Sequence, residues 1–421
     1  MQSTNIIFDH SKKASIRFIV AFGFLVYSSG TFVQTEENLY NTPLLVFQIS
    51  LLSYFLFYKL FWPTVFKLNF PLWQTYFILI ISFLFVGLFR DEFMESMRNS
   101  ISCIITLINI IAFSSFLHSM SFKKSFRLLL LCLFAVITLS FIVYYINTGN
   151  LDIEIVRTER YGKERLYGIF GGGLVGIIAG FTFVLAVISI FFKYYRFNFF
   201  PILCIAFSVL ILLFSDNRTG MIISTIACLY IVAKNFKYLG LASRLIIIIL
   251  LSLAVVFFIN YSQSSIGGIE FLNDFALRVK IWDVSFQQVL VYPWTGMGNT
   301  DFFLRSSLAI AVFGYLSDAH NAYLNLLLQS GFIVFILLMY FLFKLLLKFK
   351  DYNKRVKKIS GLYSIPFYWF AVALTGATYF NFAGTFDSYL LGISLIGLLL
   401  HPEIALQSRL QIHNIKPVPL P

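Results

Sequence analysis

Charge is scarce in this sequence: 12% of its 421 residues are Asp, Glu, Lys or Arg, about half the roughly 25% usual in a soluble domain. Cysteine is scarcer still. The four present (Cys103, Cys132, Cys204, Cys228) lie inside apolar runs with no CxxC spacing, so they read as small buried hydrophobes and argue for neither a disulfide framework nor a zinc site. Histidine numbers five, and nothing in the sequence requires a metal or another cofactor. The chain has no P-loop, no GxGxxG opening a cytosolic helix, no HExxH and no GxSxG. Carboxylates are confined to the loops, which counts against a proton or cation transporter, since such a protein usually keeps an Asp or Glu inside a span. The alternating ten-residue segments of a closed β-barrel are absent. No cleavable signal peptide is evident, because Met1 to Lys13 is polar and the first apolar run, Ile16 to Val33, is long enough to span.

What remains is apolar. Hydrophobic residues make up 59% of the chain and 51 residues are Phe, with a mean hydropathy of +0.83. Such composition needs a solvent as apolar as itself, and it predicts an all-α, polytopic membrane bundle forming a single domain over 1–421. Apolar runs close to twenty residues occur at approximately 16–33, 43–58, 72–89, 100–117, 127–146, 166–192, 199–214, 219–233, 245–260, 321–343, 361–379 and 385–400, giving about twelve transmembrane helices. The basic residues orient them. With the N-terminus cytoplasmic, the inner segments hold Lys12, Lys13 and Arg17, then Lys59 and Lys67, then Lys123, Lys124 and Arg127, and then Lys193 and Arg196. Further inner clusters follow at 234–244, 344–358 and 409–416, and the inner acids are only Asp9, Asp351 and Glu403. Both termini are therefore expected inside, and the net charge of +13 is a topology signal rather than a nucleic-acid footprint. One outer loop, 261–320 between the ninth and tenth helices, is too long for a connector; loops of that length are usually functional. Phe275, Val279, Trp282 and Phe286 recur there at helical spacing, which predicts one or two helices near the membrane face.

Four polar constellations fall on the outer side. Asp216-Asn217-Arg218-Thr219-Gly220 breaks two apolar spans: either an ordinary turn whose Arg218 snorkels into headgroups, or an Arg facing a polar cavity. Arg278-Val-Lys280-Ile-Trp282 puts two cations on an interfacial helix, to meet anionic headgroups or to clamp a phosphate. Gly296-Met-Gly298, after Pro293 and before Phe302, is a glycine pair and weak by itself. The fourth is Asp318-Ala-His320-Asn321-Ala-Tyr323-Leu324, where the long loop joins a span. His10, His118, His401 and His413 fall in cytoplasmic flanks, leaving His320 as the outer histidine. A neutral imidazole at the mouth of a bundle suits proton acceptance from a sugar hydroxyl, although a boundary His is more often structural.

The order of these elements resembles the O-antigen ligase/polymerase superfamily of bacterial surface polysaccharide assembly. The resemblance rests on NRTG at 217–220, RVKIW at 278–282, PWTGMGNTDFF at 293–303 and HNAYLNLLLQSG at 320–331, with a looser match at Arg165-Leu-Tyr-Gly168. It covers roughly residues 160 to 345. The family often has Pro-Asn after that first glycine, where this chain has a run of glycines, Gly171 to Gly173.

The resemblance implies glycan transfer from a polyprenyl pyrophosphate on the periplasmic face of the bacterial inner membrane, with no nucleotide and no metal. Arg218 and Arg278 are expected to hold the pyrophosphate, with Arg165 and Lys280 as weaker candidates. His320 would deprotonate the acceptor hydroxyl, Asp318 or a backbone carbonyl would fix its tautomer, and Asn321 would cap the helix that carries it. Trp282, Trp294 and Tyr323 would stack on sugar rings or anchor at the interface. The expected partners are the bilayer, an undecaprenyl-pyrophosphate-linked glycan donor, and a glycan or lipid A-core acceptor. A chain-length regulator is left open as a further partner. A polymerase of lipid-linked repeat units is the leading expectation and a ligase onto lipid A-core the alternative. A precursor flippase comes third, disfavoured because the charges gather at one membrane face.

Overall fold

The computed structural model describes residues 110–111, 113–114, 116–148, 174–215, 217–235, 265–296, 319, 321–355, 361–375 and 390–401, with the single positions Gly23, Ile81 and Ile104. Among them every regular element is helical and none is a strand. In chain order these are α1 (Phe122–Thr148), α2 (Leu174–Phe191), α3 (Phe199–Phe214), α4 (Arg218–Asn235), α5 (Ser265–Val291), α6 (Ala322–Arg355) and α7 (Ser364–Thr375), followed by a π-helix, Ile393–Leu399. Three stretches, Phe122–Ile146, Leu174–Phe191 and Ala322–Leu347, are long and apolar enough to cross a membrane, and with the composition they mark an integral membrane protein. The expected spans 16–33, 43–58, 72–89 and 245–260, most of 100–117, both termini and the count of twelve lie outside the described residues. The helical spacing of Phe275, Val279, Trp282 and Phe286 is met by one helix, α5, which runs from Ser265 to Val291.

Lipid tails are as apolar as leucine, so burying apolar side chains gives helices little reason to associate in a bilayer; shape and aromatic contacts must do it. Between α1 and α3 the contact is a ladder of rings. Phe134 meets Phe200 and Phe207 with centroids 5.5 and 5.6 Å apart, and Phe141 meets Phe207 and Phe214 at 5.6 and 5.7 Å, all edge-on. Edge-to-face pairs add about 0.5–1.5 kcal/mol each beyond their buried area. Because residue numbers rise together along the ladder, α1 and α3 run parallel, with α2 returning between them. Cys132, Cys204 and Cys228, on α1, α3 and α4, are buried free thiols, as their apolar flanks predict.

Close approach does the rest. Gly176 and Gly180 stand four residues apart on α2, and α4 begins against them. A Cβ on Gly176 would lie 2.3 Å from that of Asn217, and one on Gly180 would lie 2.5 Å from the Tyr368 hydroxyl and 3.1 Å from the Gly220 carbonyl. Only hydrogen fits there. Tyr368 of α7 donates its hydroxyl to the carbonyl of Ile177 at 2.6 Å, joining α7 to the same seam. Tyr230, late in α4, lies within electrostatic reach of Tyr363 just before α7, while Gly220, early in α4, meets Gly180 alongside Tyr368, so these two helices are antiparallel. The start of α4 and the end of α7 therefore share one end of the bundle.

The opposite end is closed by two histidines beyond the apolar runs 100–117 and 385–400. The last carbonyls of a helix have no partner within it. Here Nε2 of His118 donates to two of them, Ile396 and Gly397, each at 3.1 Å. His401 stacks edge-on to His118 with ring centroids 5.0 Å apart, and its Nε2 donates to the carbonyl of Leu117 at 3.4 Å. Burial, and secondarily the neighbouring His401, lowers the His118 pKa from 6.5 to about 3; burial lowers that of His401 to about 4. Both rings are therefore neutral at pH 7. A folded pKa below the unfolded one means that the unfolded chain binds more protons between the two values, so stability falls on acidification from about pH 6.5 toward pH 4. We predict that the thermal midpoint of the purified protein drops over that window. Replacing both residues by Gln should flatten the drop; an equally steep profile in the double variant would refute the assignment.

Candidate functional site

The NRTG turn is a capped helix start. Asn217 accepts the Gly220 amide on its Oδ1 at 2.6 Å, satisfying one of the donors left open at the start of α4. Arg218 is the first residue of α4 and half-buried, with Nε and Nη1 shielded from solvent. Gly220 and Tyr368 both meet Gly180, and Arg218, two residues earlier, stands at the end of the bundle that the start of α4 shares with the end of α7. That end carries a second element, since Tyr323 donates its hydroxyl to the carbonyl of Phe370 at 3.2 Å.

Tyr323 belongs to the HNAYL segment, whose described residues are pinned on both sides of position 320. Asn321 caps α6, as the sequence leads one to expect: its Oδ1 accepts the amides of Tyr323 and Leu324 at 3.0 and 3.1 Å. Its Nδ2 donates to the carbonyl of Leu374, near the end of α7, at 3.1 Å. On the other side, Ala319 donates its amide to Oδ1 of Asn325 at 2.8 Å and accepts the indole N–H of Trp282 at 3.1 Å. The RVKIW helix is thus hitched by its tryptophan to the backbone beside position 320. His320, Asp318 and Arg165 themselves lie outside the described residues.

On α5, Ile281, Val284 and Val289 pack against Ala319, Leu327 and Leu328 in a small core of their own. Arg278 lies one turn before Trp282, on the stripe that faces this core, and is half-buried. Lys280 is exposed, about 200° further round the helix. The two cations that look paired in sequence therefore sit on different faces. Trp294 is also exposed, at 64%.

The apolar run expected at 321–343 is present in the stretch Ala322–Leu347, long and apolar enough to cross a membrane, but its backbone is not one continuous helix. Gly331, at φ 70° and ψ −177°, breaks α6 into a short arm from Ala322 and a long arm from Phe332. The amide of Phe332, freed by the break, donates to the carbonyl of Pro293 at 2.7 Å. Gly296, also left-handed at φ 68°, closes the turn after α5 by donating its amide to Tyr292 at 3.0 Å. The two glycines are pressed together. A Cβ on Gly331 would lie 2.4 Å from the Trp294 backbone, and one on Gly296 would lie 2.5 Å from the amide of Ser330. PWTG and LQSG, separate in sequence, form one interlock.

Two features escaped the sequence reading. The spacing of Gly176 and Gly180 is a close-packing signal, and the interlock was foreshadowed by glycines at 296 and 331, though their meeting was not. Among the described residues no group of three or more His, Cys, Asp or Glu could hold a metal ion. A positive φ combined with an extended ψ, as at Gly331, is open essentially to glycine alone and costs another residue about 1–3 kcal/mol before any clash is counted. Gly331→Ala is therefore expected to lower the thermal midpoint well below that of Gly397→Ala, where the nearest neighbour is a Leu117 methyl at 3.0 Å. Equal midpoints would show that the interlock does not hold the fold.

A family model described as O-antigen ligase matches residues 203–339. The matched stretch runs from within α3 to the long arm of α6 and contains the NRTG turn, α5 with RVKIW, the PWTG turn, the HNAYL segment and the Gly331 break. No curated protein matches the chain. Over residues 203–339 the chain is similar to the O-antigen ligases, and the resemblance of its motifs to the O-antigen ligase/polymerase superfamily stands.

Proposed function

We propose that this protein is a membrane glycosyltransferase acting at the periplasmic face of the inner membrane, with a polyprenyl-pyrophosphate-linked glycan as donor and undecaprenyl as the polyprenyl. The observation that carries the reading is the bond from the Trp282 indole to the Ala319 carbonyl, which draws the helix of Arg278 to the segment of His320. Arg218, at the end of the bundle where Tyr323 and Asn321 bond α7, supports the same grouping. The acceptor hydroxyl oxygen attacks the anomeric carbon as the bond from that carbon to the pyrophosphate oxygen breaks. The proton passes to His320, and the polyprenyl pyrophosphate leaves with its charge met by Arg218 and Arg278. Arg165 and Lys280 are weaker contacts to the donor, and Asp318 a candidate to fix the His320 tautomer. Trp282, Asn321 and Tyr323, whose polar atoms bond backbone carbonyls or amides, are assigned to positioning. Their rings and surfaces remain candidates for sugar contact.

We take the acceptor to be the next lipid-linked repeat unit, which makes the protein a polymerase. The alternative is a ligase, the activity named in the description of the matching family, which would join the finished polymer to lipid A-core; that family match fits either activity. In-gel analysis of surface lipid from a deletion strain separates the two: loss of a polymerase leaves core capped with a single repeat, whereas loss of a ligase leaves bare core and polymer held on the carrier. A flippase would produce neither transfer product in a purified system.

Transfer is best measured with purified protein and lipid-linked donor. His320→Ala should lower the rate by about 10²–10⁴-fold, and Arg218→Ala or Arg278→Ala by about 10²–10³-fold, with normal insertion in each case. Arg→Lys should restore little, because an ammonium cannot grip phosphate in a fork. Undiminished transfer by both Arg→Ala variants would overturn the pyrophosphate assignment.

A further inference from the structure

At the end of the bundle opposite the NRTG turn, the start of α1 and the loop leading into α3 carry a cluster of cations. Phe122 and Phe126 pack on Tyr194 and Arg127 lies over Tyr195, so the first two turns of α1 stand beside that loop. α1 opens with Phe122-Lys123-Lys124-Ser125-Phe126-Arg127, and α3 follows a loop that carries Lys193 and Arg196; neither helix has an acid in its first turn. Asn198, at the cap position of α3, makes no side-chain bond to the helix start. No Asp or Glu occurs within 118–127 or 191–200. A helix start already carries positive partial charge, so lysines in a first turn oppose it. The start of α1 and the loop beside it, with five cations and no acid in either segment, form a strongly positive face.

The cations are held in place by their neighbours. The Arg127 guanidinium lies over the Tyr195 ring, 5.0 Å from its centroid, and Tyr195 donates its hydroxyl to the Arg127 carbonyl at 3.4 Å. Arg127 Nε is buried and makes no hydrogen bond among the described residues. Lys193 stands exposed in the left-handed region at φ 52°, where glycine would turn freely. Arg196 lies over Phe197 at 5.5 Å, and Phe197 and Phe199 are 73% and 75% exposed. A general bias of cations toward one side of a membrane explains their number. It does not explain the bare phenyl rings of Phe197 and Phe199 beside them.

We propose that this face, formed by Lys123, Lys124, Arg127, Lys193 and Arg196, is a binding site for the phosphate headgroup of an anionic phospholipid whose acyl chains lie against Phe197 and Phe199. The start of α1 and the guanidinium donors supply the phosphate contacts, and basic pockets between membrane helices are known to take such headgroups. The exposed rings decide for a lipid over a free anion, which would have no use for them. The site lies at the far end from the proposed transfer centre and does not depend on it.

Native mass spectrometry of the full chain in detergent tests the site, with phosphatidylglycerol and phosphatidylcholine titrated separately. The wild type should retain the anionic lipid about tenfold better than the zwitterionic one. K193Q/R196Q, two exposed positions, should lose most of that preference while keeping its helical circular dichroism, and K193R/R196K should retain it. F197S/F199S should weaken retention with the cations intact. Equal retention of both lipids, or an undiminished preference in K193Q/R196Q, would overturn the site. Displacement of the lipid by millimolar inorganic phosphate, or unchanged retention in F197S/F199S, would overturn the lipid assignment and leave a simple anion site.

Discussion

A backbone amide in the interior of a membrane protein has no water to turn to, so each one freed from a helix must find a partner in the protein. At Phe332 that requirement shapes everything nearby. Gly331 opens the helix, and the carbonyl of Pro293 supplies the missing acceptor. To reach it, the turn after α5 must lie against the break, which demands a left-handed glycine on each side of the contact. α5 is thereby docked on the short arm of α6, and Trp282 comes within reach of Ala319. One unsatisfied donor thus brings together three motifs that the sequence keeps far apart.

Much of the architecture was legible because hydropathy is a direct physical signal. The run read at 199–214 coincides with α3, and that at 219–233 falls within α4. Asn321 as a helix cap was legible too, since a polar residue just ahead of an apolar run has few other roles at that spot. The Gly331 break was hidden: apolar residues continue through it, and hydropathy reports what surrounds a segment, not its backbone path. Gly176 and Gly180 were overlooked for the opposite reason, since attention to polar residues misses a contact made by the absence of a side chain.

The site is a similar mixture. Sequence order grouped Arg278 with Lys280, but a helix turns about 100° per residue, so neighbours two apart point away from one another. Arg278 follows the packed stripe of α5 and Lys280 does not. Trp282 looked like a surface for sugars or for the membrane, and its indole nitrogen instead holds a backbone carbonyl. Such a bond joins residues 37 apart, and no local pattern announces it. Polar side chains of this kind set the shape of a site as much as those that meet the substrate.

The ring ladder between α1 and α3 has one more implication. Its rungs recur every seven residues on both helices, at Phe134 and Phe141 and at Phe200, Phe207 and Phe214. Two racks toothed at that pitch regain full engagement only after sliding about 10.5 Å. Small piston strokes leave the teeth riding on one another. Whatever movement the working cycle demands, this pair resists shear and passes it on as tilt or swivel.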